Sequence, residues 1–213
     1  MLWLVRHGES VANAGGVVHT DFASIPLTAR GRLQADAVAA ACGQPPVWVG
    51  LSPYLRARQT AGPLLARYPA ITPIELPVQE FTYLAAGQGL GMDAVARQLL
   101  VDAYWSRLDP SYCDGEGAES FAELCERAES FLRTVTDLPS FGVVFTHEQF
   151  IRAVLVAATY PGEGPSIGLM RRFFGLRTGL PIPNAAVVRL RREGERWWVG
   201  GIDTSHSADR PAE

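Results

Sequence analysis

The sequence predicts an α/β protein of three layers, in which helices cover both faces of a largely parallel central sheet. Short apolar runs bounded by glycine or proline alternate with longer segments whose apolar residues recur at helical spacing. Such alternation is typical of parallel sheets, because the crossover between two parallel strands is usually a helix. The 213 residues are enough for one domain of this kind.

Three predicted strands are short and almost wholly apolar, as expected of strands that are buried on both faces. They cover Leu2–Arg6, Val47–Leu51 and Phe141–Thr146. A terminal hairpin is predicted from Ala185–Arg192 and Arg196–Ile202, because turn-forming residues separate these two runs.

The predicted helices are placed by their end signals and apolar periodicity. Thr28 is a candidate N-cap for a helix that Gly43 ends, and Ser52-Pro53 is expected to cap a second helix over 54–67. Ser120 and Glu123 have capping-box spacing and begin a helix that continues to about residue 137. Further helices are predicted over 92–107 and 148–160.

The domain prediction follows from these elements. We expect residues 1–203 to form a single domain with an irregular insertion at about 69–119, where prolines, glycines and aromatic residues are frequent. The polar residues 204–213 are expected to form a frayed tail.

Composition restricts the possible partners. The chain is 47% hydrophobic and 19% charged with a net charge of −3, so we expect it to bind neither nucleic acid nor a membrane. The three cysteines are odd in number and lack metal-ligand spacing, which fits a reducing compartment. With no apolar run typical of a signal peptide or membrane span, a cytoplasmic location is expected.

Cationic or imidazole side chains follow all three apolar strands. Arg6 and His7 end the first, Arg56 lies in the first helical turn after the second, and His147 follows the third. The carboxyl ends of parallel strands meet at one edge of the sheet, where α/β proteins bind ligands. The pattern therefore predicts a compact cationic pocket suited to phosphoryl transfer, in a protein that is negatively charged overall.

Four segments resemble the histidine phosphatase superfamily, which includes the cofactor-dependent phosphoglycerate mutases. They are Arg6-His7-Gly8-Glu9-Ser10 with Asn13, Pro26-Leu27-Thr28-Ala29-Arg30-Gly31, Ser52-Pro53-Tyr54-Leu55-Arg56-Ala57-Arg58-Gln59-Thr60, and Phe145-Thr146-His147 with Ile151-Arg152-Ala153. The resemblance extends from residue 2 to about 190 and implies a phosphoglycerate mutase-like fold.

The resemblance implies roles for five of these residues. His7 would be the nucleophile that forms a phosphohistidine, and Arg6 and Arg56 would bind the phosphoryl oxygens. His147 would donate to the transferring group and stabilise its charge, and Asn13 would be a further phosphate contact. Neither a metal ion nor another cofactor is implied, since the arginines neutralise the charge.

A leaving alkoxide needs a proton, so a carboxylic acid is expected beside the pocket. Glu80 is the candidate, because the family has its acid in a similar segment and Phe81 and Tyr83 could desolvate it. Glu75, in the same stretch, is the competitor.

The chain departs from the family pattern at Glu148, where a glycine usually follows the second histidine. This carboxylate could narrow the pocket, disfavour substrates with several negative charges, or point away. The insertion is also poor in cations, since residues 81–119 contain only Arg97 and Arg107 as basic residues. A mutase must retain a bisphosphorylated intermediate, and Arg171, Arg172 and Arg177 are the candidates to hold its second phosphate.

The sequence therefore favours a metal-independent phosphomonoester hydrolase that acts on a small phosphorylated metabolite. A phosphoglycerate mutase-type phosphotransferase and a catalytically silent binding module are the alternatives. The oligomeric state stays open, with a homodimer compatible with the sequence.

Overall fold

The computed structural model describes residues 1–16, 21–85, 87–88, 91–92, 94–139 and 141–207. Within these residues, six strands form one sheet in the order β3-β2-β4-β1-β5-β6. The strands are β1 Leu2–Arg6, β2 Trp48–Leu51, β3 Ile74–Glu75, β4 Gly142–Thr146, β5 Val187–Glu193 and β6 Arg196–Asp203. The first four strands are parallel, whereas β5 and β6 run antiparallel to their neighbours as a hairpin.

Helices lie on both faces of this sheet, which confirms the predicted three layers. They are α1 Ala29–Ala41, α2 Leu55–Arg67, α3 Ala94–Ser106, α4 Phe121–Thr136, α5 Glu148–Thr159 and α6 Ile167–Gly179. Residues of α1 and α2 share one apolar cluster with alternate residues of the central strands, among them Val5 and Val143. The other helices share a second cluster with the opposite alternation, among them Leu4 and Val144.

Most predicted boundaries agree with the structure to within two residues. Thr28 caps α1 by accepting from the backbone N–H of Gly31, and Ser120 and Glu123 form the predicted capping box of α4. Within the described residues, no helix is long and apolar enough to cross a lipid bilayer.

Of the strands and α-helices described above, the sequence does not predict β3 and α6. β3 has two exposed residues and pairs with β2 inside the segment expected to be irregular, so apolar patterning could not reveal it. α6 was missed as well; it begins at the Ser166 cap, whose hydroxyl accepts from the N–H of Leu169.

The prediction that Ser52-Pro53 caps the second helix was wrong. The N-cap of α2 is Tyr54, and the helix begins at Leu55 without a side-chain cap. The hydroxyl of Ser52 accepts from the N–H of Tyr54 and lies against His147 instead.

Residues 204–207, in the predicted tail, make a turn, and Nε2 of His206 lies 2.9 Å from the carbonyl oxygen of Ala185. The remainder of that tail, 208–213, lies outside the described residues.

The loop after β1 is packed tightly against the start of α1. A Cβ atom on Gly8 would lie 2.4 Å from the carbonyl oxygen of Gly31, and one on Gly31 would lie 2.0 Å from that of Glu9. Neither position can therefore carry a side chain without displacing backbone. This close approach fixes the chain at the point where His7 leaves the sheet.

Candidate active site

The carboxyl edge of the sheet brings the predicted residues together. β1 and β4 are adjacent and parallel, with Arg6 in register with Thr146, so that His7 and His147 leave the sheet side by side. The two imidazole rings lie 5.1 Å apart between centroids. The first turn of α2, which follows the adjacent strand β2, directs Arg56 into the same space.

The His7 ring is held by a hydrogen bond at each nitrogen. Nε of Arg56, which can only donate, lies 3.1 Å from Nε2, so this nitrogen of His7 accepts and carries the lone pair. Nδ1 lies 2.7 Å from the carbonyl oxygen of Gly8 and therefore carries the proton that it donates there. Burial, and next the charges of Arg56 and Arg6, lower the pKa of His7 well below its ordinary value, which favours the neutral ring.

Arg56 is itself buried and anchored. One of its terminal nitrogens donates to the carbonyl oxygen of Phe22 at 2.6 Å, and its guanidinium lies 4.9 Å from the ring centroid of Tyr54. Thr60, one turn further along α2, accepts from the N–H of Gly8 and donates to the carbonyl of Arg56. These contacts tie α2 to the loop that holds His7.

Ser52 orients His147, a role that sequence reasoning missed. Oγ of Ser52 accepts from the N–H of Tyr54, so its own hydrogen is free to donate to Nε2 of His147 at 2.7 Å. Nδ1 of His147 then carries a proton; it is buried and has no partner among the described residues. Burial lowers the pKa of His147 well below its ordinary value, with Arg56 adding to the effect. The neutral ring thus offers one N–H donor.

One terminal nitrogen of the Arg6 guanidinium is paired with a carboxylate. The other terminal nitrogen donates to the carbonyl oxygen of Ile182 at 2.5 Å, and the paired one lies 3.0 Å from Oε2 of Glu148. Its Nε is buried without a partner among the described residues. Glu148 also pairs with the buried Arg152 at 2.5 Å, which in turn donates to the carbonyl of Leu180. Glu148 therefore does not point away from the site, because its carboxylate lies against Arg6.

Glu80 lies beside Arg56 at the wall of the site. Its Oε1 accepts from the backbone N–H groups of Phe81 and Gln149, each at 3.0 Å. Burial is the main cause that raises the pKa of Glu80 above its ordinary value, although Arg56 opposes it. A raised pKa suits a carboxyl group that must hold a proton. The competing Glu75 is exposed and pairs with Arg58 instead.

The segment before Glu80 is fixed by a cation that the sequence did not reveal. Arg127 of α4 donates to the carbonyl oxygens of Pro77 and Gln79 at 3.0 and 2.9 Å, and it pairs with Glu119 through two nitrogens. From the sheet, Thr146 donates to the carbonyl of Val78. Glu80 therefore sits at the end of a segment held from both sides.

Asn13 lies at the exposed rim of the site. Its Oδ1 accepts from the N–H of Ser10 and from Nδ2 of Asn184, at 3.2 and 3.1 Å. Asn184 also donates to the carbonyl oxygen of His7, so it links the rim to the nucleophile candidate. Asn184 belongs to no motif in the sequence, and its position becomes apparent only from the fold.

Within the described part of the chain, no three histidine, cysteine, aspartate or glutamate side chains form a group that could hold a metal ion. The cations at this edge of the sheet are guanidinium groups. Metal independence itself stays a prediction.

The profile of the histidine phosphatase superfamily (branch 1) matches residues 2–203. The chain belongs to this superfamily. That membership makes it an enzyme of the phosphatase class and confirms the resemblance seen in the four motifs. No curated protein matches the chain in sequence.

Solved structures of similar fold include several phosphatases. A mutant phosphoserine phosphatase from Entamoeba histolytica, in complex with phosphoserine, is 17% identical with a TM-score of 0.72, over 97% of this chain and 98% of that one. A mycobacterial glucosyl-3-phosphoglycerate phosphatase is 22% identical with a TM-score of 0.70, over 93% and 96%. A Thermus thermophilus protein is 27% identical with a TM-score of 0.59, over 94% and 97%. The first two likenesses establish the fold.

Proposed function

We propose that this histidine phosphatase is a metal-independent phosphomonoester hydrolase, which acts on a small phosphorylated metabolite through a phosphohistidine at His7. The observation that carries the proposal is the hydrogen bonding of the His7 ring. With Nδ1 donating to Gly8 and Nε2 accepting from Arg56, the lone pair faces the cationic pocket rather than the protein backbone. A buried neutral imidazole in this tautomer is ready to attack phosphorus.

The other side chains supply the remaining functions. Arg56 exchanges its contact with His7 for a phosphoryl oxygen when substrate binds, and Arg6 offers its Nε, which has no partner among the described residues. The N–H at Nδ1 of His147 donates to a second oxygen and stabilises the charge that grows there in the transition state. Asn13, at the rim, is a further contact for the phosphoryl group.

The reaction takes place in two steps. Nε2 of His7 forms a bond to phosphorus as the bond to the ester oxygen breaks, and protonated Glu80 gives its proton to the leaving alkoxide. Water then attacks the phosphohistidine, Glu80 accepts one of its protons, and inorganic phosphate leaves with His7 restored. The raised pKa of Glu80 and the lowered pKa of His7 are the directions that these roles require.

Glu148 favours hydrolysis over mutase activity. Its carboxylate contacts Arg6, so a substrate with a second phosphate on that side meets a negative charge. Arg172 already pairs with Glu163 and lies over the Tyr160 ring, while Arg177 is half-buried and lies over the rings of Trp105 and Phe174. These contacts argue against two of the three candidates for holding a second phosphate.

The proposal is tested by phosphate release and by trapping the intermediate. The wild-type protein should release phosphate from p-nitrophenyl phosphate in the presence of EDTA, and His7→Ala should lose several orders of magnitude in kcat while retaining its circular dichroism spectrum. Rapid quenching in base with labelled substrate should place an acid-labile label on His7. Label on serine or cysteine, or near-normal turnover in folded His7→Ala, would exclude this mechanism.

A coupled assay distinguishes a phosphatase from a mutase. With 3-phosphoglycerate and a trace of 2,3-bisphosphoglycerate, mutase turnover should be far below the rate of phosphate release. Mutase turnover well above phosphate release would overturn the hydrolase assignment.

A further inference from the structure

A cleft opens beside the proposed catalytic residues. It is lined by Arg56, Glu80 and, among its other residues, Arg97 of α3; the enclosed space is about 70 Å³, and the space that includes the open mouth is about 440 Å³. Phe22, Tyr54 and Tyr83 give the cleft an aromatic lining.

The cleft is where the leaving group must lie, if the proposed function is correct. Glu80 protonates the ester oxygen and Arg56 binds the phosphoryl group, and both residues line this cleft. The part of the substrate beyond the ester oxygen therefore extends away from His7, along the cleft walls. The inference below rests on the proposed function for this step.

The walls favour a flat, apolar body. Aromatic side chains bind flat or apolar groups without needing hydrogen bonds, and ring-to-ring contacts add to the area that they bury. Apart from the tyrosine hydroxyls, the neutral polar groups in the lining are the hydroxyl of Thr82 and the amide of Gln88. A polyol such as a sugar would bury several hydroxyl groups here with few partners, which is unfavourable.

Arg97 adds a charge to this apolar surface. Its guanidinium lies 5.2 Å from the ring centroid of Phe22, and it makes no ion pair with any described acidic residue. It is half-buried, so an anion in the cleft would meet a guanidinium that is partly shielded from solvent. Glu148, in contrast, lies against Arg6 and disfavours an anion there.

We infer that the cleft is a leaving-group subsite for phosphomonoesters whose alcohol carries a flat apolar or aromatic body and a carboxylate, or similar anion, that binds Arg97. The aromatic walls select the body, and the guanidinium selects the charge at its end. Besides the phosphate, substrates of this class carry an apolar body and a remote anion, and simple sugar phosphates have neither.

Binding of two phosphonates tests the charge selection without requiring turnover. Benzylphosphonate and 4-carboxybenzylphosphonate differ by one carboxylate, and we expect the second to bind the wild-type protein at least ten-fold more tightly in isothermal titration calorimetry. Arg97→Gln should remove this difference while changing the affinity for benzylphosphonate by less than two-fold. Arg107→Gln is the matched control, because that guanidinium lies over the Tyr112 ring and does not line the cleft. Equal binding of both probes, or a difference that survives in Arg97→Gln, would overturn the charge selection.

Rates of hydrolysis test whether the cleft prefers an apolar leaving group. We expect kcat/KM for benzyl phosphate to be at least ten-fold higher than for glycerol 3-phosphate or glucose 6-phosphate. A preference for either polyol phosphate would overturn this part of the inference while leaving the hydrolase function intact. If none of these esters nor p-nitrophenyl phosphate is hydrolysed, the proposed function fails, and the phosphonate comparison still decides whether Arg97 forms a subsite.

Discussion

Arg6 is bound to Glu148, with a terminal guanidinium nitrogen 3.0 Å from Oε2 of the carboxylate. Arg6, one of the two arginines proposed to bind the phosphoryl group, thus already has a negative partner. The buried Arg152 holds this carboxylate in place from the other side. This pair orients Arg6 and also reduces the positive charge that it presents to a phosphoryl group. Glu148 is therefore expected to weaken the binding of phosphate, the product.

Glu148→Gln should tighten inhibition by inorganic phosphate about ten-fold, a change that corresponds to ~1.4 kcal/mol. The amide oxygen still accepts from Arg152, so that buried guanidinium keeps a partner and the fold is retained. The inhibition constant is measured with p-nitrophenyl phosphate as substrate, and Glu163→Gln, which removes the partner of Arg172, is the control. An unchanged inhibition constant in a folded Glu148→Gln protein would contradict the role given to this carboxylate.

The sequence predicted the main layers and the convergence of Arg6, His7, Arg56 and His147, because both follow from general rules. Apolar strands buried on both faces stand out as uninterrupted runs, and the ends of parallel strands necessarily meet at one edge. Knowing where each residue lies relative to its strand was sufficient to predict that the four side chains converge.

The contacts that tune the site could not be predicted in the same way. The sequence predicts a helix cap at Ser52, because a serine and a proline precede the helix, but the structure shows that its hydroxyl orients His147 instead. Asn184 and Arg127 are far in sequence from the residues that they hold. Such partners depend on the three-dimensional packing of distant segments, which leaves no local pattern.

Glu80→Gln should slow the hydrolysis of alkyl phosphates at least 100-fold and that of p-nitrophenyl phosphate less than ten-fold. An alkoxide leaves poorly without a proton, whereas nitrophenolate is a stable anion and hardly needs one. The measurement is kcat for both substrates in each variant. Glu75→Gln serves as the control, because that carboxylate is exposed and pairs with Arg58. Equal losses on both substrates would show that Glu80 is not the acid.

Ser52→Ala should lower kcat about ten-fold with a smaller effect on KM, because Ser52 acts through the ring of His147. Without the hydroxyl, Nε2 of His147 loses its donor and the proton is no longer held at Nδ1. The ¹⁵N chemical shifts of the His147 ring report this tautomer directly, and Ser52→Thr should restore both the shifts and the rate. Ser166→Ala, which removes the N-cap of α6, should leave them unchanged. Unaltered ¹⁵N shifts in Ser52→Ala would reject the positioning role.

The free energy of unfolding should decrease as the pH falls below about 6.5, the ordinary pKa of histidine. Burial lowers the pKa of both His7 and His147 in the folded protein, so just below pH 6.5 the unfolded chain binds protons that the folded chain does not. Stability therefore rises with pH in this window and is fully present above it. Glu80 acts in the opposite direction, since its raised pKa stabilises the folded state at low pH.

A comparison of wild type with His7→Gln cancels the contribution of Glu80, and urea denaturation between pH 5.5 and 7.5 should show a shallower pH dependence in the variant. Parallel pH curves for the two proteins would mean that His7 does not titrate differently in the folded and unfolded states.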